Sequence, residues 1–151
     1  MKTLRAVVLC LGFLAASTPV TPCSYVSVKT IEEAADRCDA IFVGWVTALE
    51  LDDGSWKQKK VRFRITESWK GTEGEHVTVR TGMGGSDCGV DYKLAHRYVV
   101  FARNREEGGL STTVANLPTD KHSVKDITLA LGSPEQEFNW HRKPAHDGHR
   151  E

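Results

Sequence analysis

The side chains with the widest chemical range in this 151-residue chain are its four cysteines, Cys10, Cys23, Cys38 and Cys88. A thiol can form a disulfide, attack a carbonyl or bind metal, and compartment and neighbours decide which. Cys88 lies in a glycine-rich run, Gly82 to Gly89, with His76 and His96 on either side in sequence. A thiol and a histidine can act as nucleophile and base, but nothing in the spacing joins them. No constellation of acid, base and nucleophile is visible, so the chain reads as a binder and not an enzyme. The glycine-rich run lacks Gly-Lys-Ser/Thr and no helix follows it, which argues against a phosphate loop. It reads as a loop that needs positive φ. His141, His146 and His149 sit in a polar C-terminal stretch and read as solvated residues. No cofactor of the protein's own is expected.

The compartment follows from the first residues. Met1-Lys2-Thr3-Leu4-Arg5 is a short basic start, and Ala6 to Ala16 is an apolar run of signal-peptide length. It is too short to cross a bilayer, and no later segment is apolar enough to try. Residues 1–17 therefore read as a signal peptide. Small residues at Ala15 and Ser17 suit cleavage after Ser17, and trimming up to residue 22 would bring Cys23 to the front. Secretion, to the periplasm or the extracellular space, is expected, and Cys10 leaves with the leader. The 18 Lys and Arg left after Lys2 and Arg5 face 20 Asp and Glu, a formal charge of −2. That leaves no basic excess for a nucleic-acid backbone. Three remaining cysteines in an oxidising compartment suggest one disulfide and one spare thiol.

The elements that must position these residues are mostly strands. Val28 to Cys38 reads as a helix: Thr30 and Glu33 have capping-box spacing, and Ile31, Ala35 and Cys38 share a face. Ala40 to Leu51 is apolar and rich in β-branched and aromatic residues. Lys60 to Trp69 alternates, with Val61, Phe63 and Ile65 on one side. Asp52-Asp53-Gly54-Ser55 between them carries hairpin-turn chemistry. His76 to Thr81, Arg97 to Ala102 and Leu110 to Ala115 are three further strands, the second apolar on both faces. Val124 to Leu131 reads as a second helix, capped by Ser123 and stopped by Gly132 and Pro134. Trp45 and Trp69 read as core, Cys38 as a buried small hydrophobe, and Trp56 as either a hairpin-tip contact or a packing residue. Five short strands need closure to remove their edges. The expected fold is mainly β, an OB-fold-like five-stranded barrel with one N-terminal and one C-terminal helix. Residues 23–132 form that domain, and residues 133–151 are expected to be a disordered polar tail.

The ordered set of residues along this domain resembles the netrin-like module of the tissue inhibitors of metalloproteinases, in particular short bacterial-type members. It comprises Cys23-Ser24, then Glu33-Ala34-Ala35 with Asp39-Ala40-Ile41-Phe42-Val43-Gly44, Trp69-Lys70-Gly71, Asp87-Cys88-Gly89 and Tyr98-Val99-Val100-Phe101-Ala102. The likeness runs from Cys23 to Leu131. It departs where the family has a second cysteine (Tyr25 here), where that cysteine's partner would stand near Ala115, and where a proline is usual (Ser27 here).

The resemblance implies a Cys23–Cys88 disulfide, closing roughly 66 residues and contributing about 4 kcal/mol through chain entropy. It also implies inhibition of secreted zinc metalloproteases. The α-amino nitrogen and carbonyl oxygen of Cys23 would chelate the catalytic zinc of the target protease, filling the position a catalytic zinc keeps open. Ser24 would enter the specificity pocket, and Tyr25 and Val26 would lie along the cleft. The chemistry requires Cys23 to be the first residue, because a preceding residue turns the amine into an amide. The alternative is a non-inhibitory netrin-like interaction or structural module of the cell envelope or extracellular space. In either case the protein is expected to be a monomer, without nucleic acid or a membrane span.

Overall fold

In the computed structural model, the structure describes residues 28–52, 58–84, 87–118 and 123–138. Helix α1 spans Ile31–Arg37, followed by strands β1 (Ala40–Asp52), β2 (Gln58–Lys70), β3 (His76–Gly82), β4 (Arg97–Asn104) and β5 (Leu110–Ser111). A 3₁₀ turn (Val114–Asn116), helix α2 (Val124–Leu131) and a short strand β6 (Gln136–Glu137) complete the order. The strands pair in the sequence β1-β4-β5-β3-β2, and β2 pairs again with β1, so the sheet closes. β3 and β5 run parallel and the other barrel pairs antiparallel. This is the OB-fold-like five-stranded barrel that the strand pattern predicts, flanked by two helices.

Alternation divides the apolar side chains into two layers. Phe42, Val46, Val61, Phe63, Ile65, Val79, Val100 and Ala102 fill the barrel. Ile41, Val43, Trp69 and Phe101 point outwards and are covered by Ile31, Ala34 and Cys38 around α1 and by Ile127 of α2. β1 and β4 are thus buried on both faces over much of their length, which is why they read as continuous apolar runs. Inside the barrel, Phe42, Phe63, Tyr92 and Tyr98 form a chain of edge-to-face contacts with centroids 4.9–5.4 Å apart.

The tripeptide Trp69-Lys70-Gly71 attaches both helices to the barrel. The Trp69 indole N–H donates to the Gly132 carbonyl at the end of α2, at 2.8 Å. The Lys70 ammonium donates to the Ala35 and Cys38 carbonyls at 3.0 and 2.7 Å, satisfying acceptors that the end of α1 leaves open. Gly71 has φ +65°, and a Cβ there would lie 1.8 Å from the Asp39 carbonyl oxygen.

Four expectations are corrected. Helix α1 begins at Ile31, not Val28, because Thr30 caps it by accepting from the Glu33 amide at 3.2 Å. The Glu33 carboxylate reaches back to the Lys29 amide at 3.0 Å, one residue before the cap, while Val28 forms a parallel bridge with Pro118. β5 is two residues long, because the chain turns into the 3₁₀ segment once Thr112 has bonded to Phe101 and Arg80. Trp45 is half-buried on the outer wall and not in the core, whereas Trp69 is 6% exposed. The stretch after Gly132 is ordered at least to residue 138. β6 pairs with Glu67 and Ser68, the Phe138 amide donates to the Thr66 carbonyl at 2.8 Å, and the Phe138 ring packs against the barrel core.

Two glycine substitutions separate strain from collision. Gly74 also has positive φ, but nothing lies within 4 Å of a Cβ built there. Gly74→Ala is expected to cost about 1–2 kcal/mol in urea unfolding, the left-handed penalty alone. Gly71→Ala is expected to cost several-fold more or to prevent folding, because backbone must move.

Candidate functional site

The loop after β3 carries the one cysteine that the sequence places in a glycine-rich frame. Its local structure is organised by Asp87. The carboxylate accepts the amides of Met83, of Gly84 at 2.9 Å and of Gly89 at 3.0 Å. Burial pulls its pKa up, but the donated amides of Gly89, Met83 and Gly84 outweigh that and hold it below the usual carboxylate value. The loop folds back so tightly that a Cβ on Gly89 would lie 2.3 Å from the Gly82 carbonyl carbon. Cys88 itself takes φ +58°, a conformation L-residues rarely adopt. The expectation of a positive-φ loop therefore holds: Gly84 has φ +99°, and Gly82 and Gly89 stand where a Cβ would collide with neighbouring atoms.

Cys88 is disulfide-bonded, whereas Cys38 is a free, buried thiol. Cys88 therefore cannot serve as a nucleophile in that state, and Cys38 is not its partner. The Cys88 carbonyl accepts the Val114 amide at 3.0 Å, tying the loop to the 3₁₀ segment. That segment leads to Pro118, where the N-terminal chain enters through its bridge with Val28. Cys23, Ser24, Tyr25 and Val26 lie outside the described residues, as do the signal segment, Trp56, the Asp53–Ser55 turn, His141, His146 and His149.

The two histidines nearest Cys88 in sequence are placed separately. His76 stands opposite Arg64 at the start of β3, and His96 has its Nδ1 3.0 Å from the Leu94 carbonyl. Among the described residues, no three His, Cys, Asp or Glu side chains converge on a metal-sized site. No helix among them is long and apolar enough to cross a membrane. A cavity of about 450 Å³ lies between β4 and the start of α2, floored by Val43, Val99 and Phe101.

Compared with known proteins, the chain matches no family model and no curated protein. Its barrel and the geometry around Cys88 are therefore what any functional reading must stand on.

Two residues central to this region escape sequence reasoning. Asp87 reads as an ordinary loop acid; its three amide bonds depend on the loop folding back over it. Tyr92 sits in an irregular segment without periodicity, yet it is 3% exposed and its ring plugs the barrel against Phe63 and Tyr98. Burial pushes its phenol well above the ordinary tyrosine range.

Two measurements check this description. Burial raises the Cys38 thiol to about 11, so the native protein at pH 8 is expected to be inert to a thiol reagent and to release one equivalent on unfolding. Rapid native labelling would contradict the placement. Because Asp87 is depressed, its contribution is present above the unfolded carboxyl pKa of about 3.9 and is lost as pH falls through the lower folded value. Amide exchange at Met83, Gly84 and Gly89 should therefore accelerate selectively below about pH 4. Asp87→Asn should remove that pH dependence.

Proposed function

We propose that the protein is a netrin-like module of the metalloproteinase-inhibitor type, which caps the zinc of a secreted metalloprotease with the amino terminus of Cys23. The observation that carries the reading is the state and setting of Cys88. It is the disulfide-bonded cysteine of an Asp87-braced loop, and the alternative partner Cys38 is a free thiol in the outer core.

Chain geometry supports Cys23 as the partner. Val28 runs parallel to the segment ending at Pro118, and four residues before Pro118 the Val114 amide bonds to Cys88. The bridge thus brings the first described residue alongside the segment whose Val114 amide bonds to Cys88. The five residues back to Cys23 can reach at most about 17 Å when extended, which sets the range within which the cross-link must lie. The barrel topology agrees with the family's fold, although topology alone assigns no activity.

In this reading the cross-link holds Cys23 on a rigid support. Its neutral amine and carbonyl oxygen occupy the open coordination position of the protease zinc in place of water. Preorganisation matters because a tip that is already ordered loses little further freedom on binding. Ser24 then faces the specificity pocket, and Tyr25 and Val26 run along the cleft. If residues 18–22 stay in front, as Ala15 and Ser17 favour, the amine is an amide. The barrel is then an interaction module without a zinc-capping tip.

The test is made on exported protein. Non-reducing peptide mapping is expected to find Cys23 joined to Cys88, and mass spectrometry to find Cys23 first. Such protein should inhibit members of a panel of secreted zinc proteases, and adding one alanine ahead of Cys23 should weaken inhibition about a hundredfold without changing the melting curve. Absence of inhibition at micromolar protein beginning at Cys23 would refute the reading.

A further inference from the structure

We propose that residues 133–138 form a strap that detaches from β2 as a unit while the barrel stays closed, and that Glu137, set opposite Glu67, governs its release. The inference stands apart from Cys23 and would survive the loss of the inhibitor reading.

Strand register leaves a short stretch of β2 for the strap. β1 covers one edge of β2 at this level, with Val43 opposite Glu67 and Phe42 opposite Ser68. β3 covers the other edge only as far as Arg64, which stands opposite His76, and the Ile65 amide then donates to the Glu75 carbonyl at 2.7 Å. Beyond that point β6 takes the edge, with Glu137 opposite Glu67 and Gln136 opposite Ser68. The Phe138 amide adds its bond to the Thr66 carbonyl. Detachment ends at Gly132. The Trp69 indole holds its carbonyl at 2.8 Å, and its φ is +85°. The strap therefore turns about a fixed point at the end of α2, and the helix keeps its place.

Little holds the strap down. Its apolar residues are Pro134 and Phe138, both half-buried, whereas Glu135, Gln136 and Glu137 are exposed. A segment with so few buried apolar contacts opens at a lower free energy than the core it lies on. Charge weakens it further. Cross-strand partners share a face, with Cβ atoms about 4.5–5.5 Å apart, and like charges directly opposite repel. Glu67 is ion-paired with Arg97, which also donates to Thr66 at 3.3 Å. That guanidinium offsets one of the two facing carboxylates, and Glu135 on the same strap adds a third. Release uncovers the β2 backbone from Thr66 to Ser68 with the barrel intact, an edge of the kind to which an extended chain adds.

Amide exchange followed by NMR on the full exported chain, read as protection relative to an unstructured amide, tests the proposal. The Phe138 amide is expected to be roughly a hundredfold less protected than the Thr112 amide, which bonds to the Arg80 carbonyl. Glu137→Gln should raise Phe138 protection about threefold without moving the melting temperature. Salt screens the repulsion, so wild-type protection at Phe138 should rise with ionic strength. That dependence should shrink in Glu137→Gln and persist in Glu106→Gln, which lies outside the strap. Equal protection of Phe138 and Thr112 would overturn the proposal, because the strap would then open only with the barrel. So would unchanged or lower Phe138 protection in Glu137→Gln, or an undiminished response to salt in that variant.

Discussion

The architecture outside the barrel depends on one corner, where β2 ends in Trp69-Lys70-Gly71. The indole fills the outer core beneath both helices and bonds to the carbonyl that closes α2. The next residue closes α1 from its C-terminal side. The third lets the chain pass against the backbone at Asp39. Each hydrogen bond contributes only about 1 kcal/mol net, but their joint effect is geometric. They fix the helices at one end of a closed sheet, so Ile31, Ala34 and Ile127 cover β1 and β4 rather than slide over them. Buried Ser68 and Thr72, 2.5 Å apart, satisfy one another beside the corner.

Closure also accounts for the quality of the Cys88 loop. A barrel leaves few soft edges, so a loop leaving β3 starts from a fixed frame. Asp87 then gathers three amides, and the Cys88 carbonyl ties the loop to the segment after β5. Tyr92 returns from the loop into the barrel. The described part of this loop has no regular structure, yet it is tied down at Asp87, Cys88 and Tyr92.

Much of this was legible in the residues. Alternation at Val61, Phe63 and Ile65 marks β2, and the two-sided apolar runs of β1 and β4 mark strands buried under helices. Ser123 caps α2 as its position suggests, with Asp126 completing the box. Misreadings came where a tertiary partner outweighs local preference. Leu110 to Ala115 has strand-like residues, but only Leu110 and Ser111 find ladder partners. Gln136 to Phe138 is polar except for its last residue, and it is ordered because β2 offers unpaired backbone opposite Glu67 and Ser68. Trp45 has a core residue's composition, but its parity in β1 turns it to the outer wall.

The sequence by itself determined the class of fold, the number of barrel strands, both helices and the singular position of Cys88. Hydrophobic period and turn chemistry are local properties, and they are written residue by residue. Tertiary structure decided which cysteine stays buried and free, how Asp87 braces its loop, and that Trp45 stands on the outer wall. Those outcomes depend on strand order and register, which join residues as far apart as Trp45 and Arg97. No local pattern encodes such a pairing, because its energy exists only once the barrel has closed.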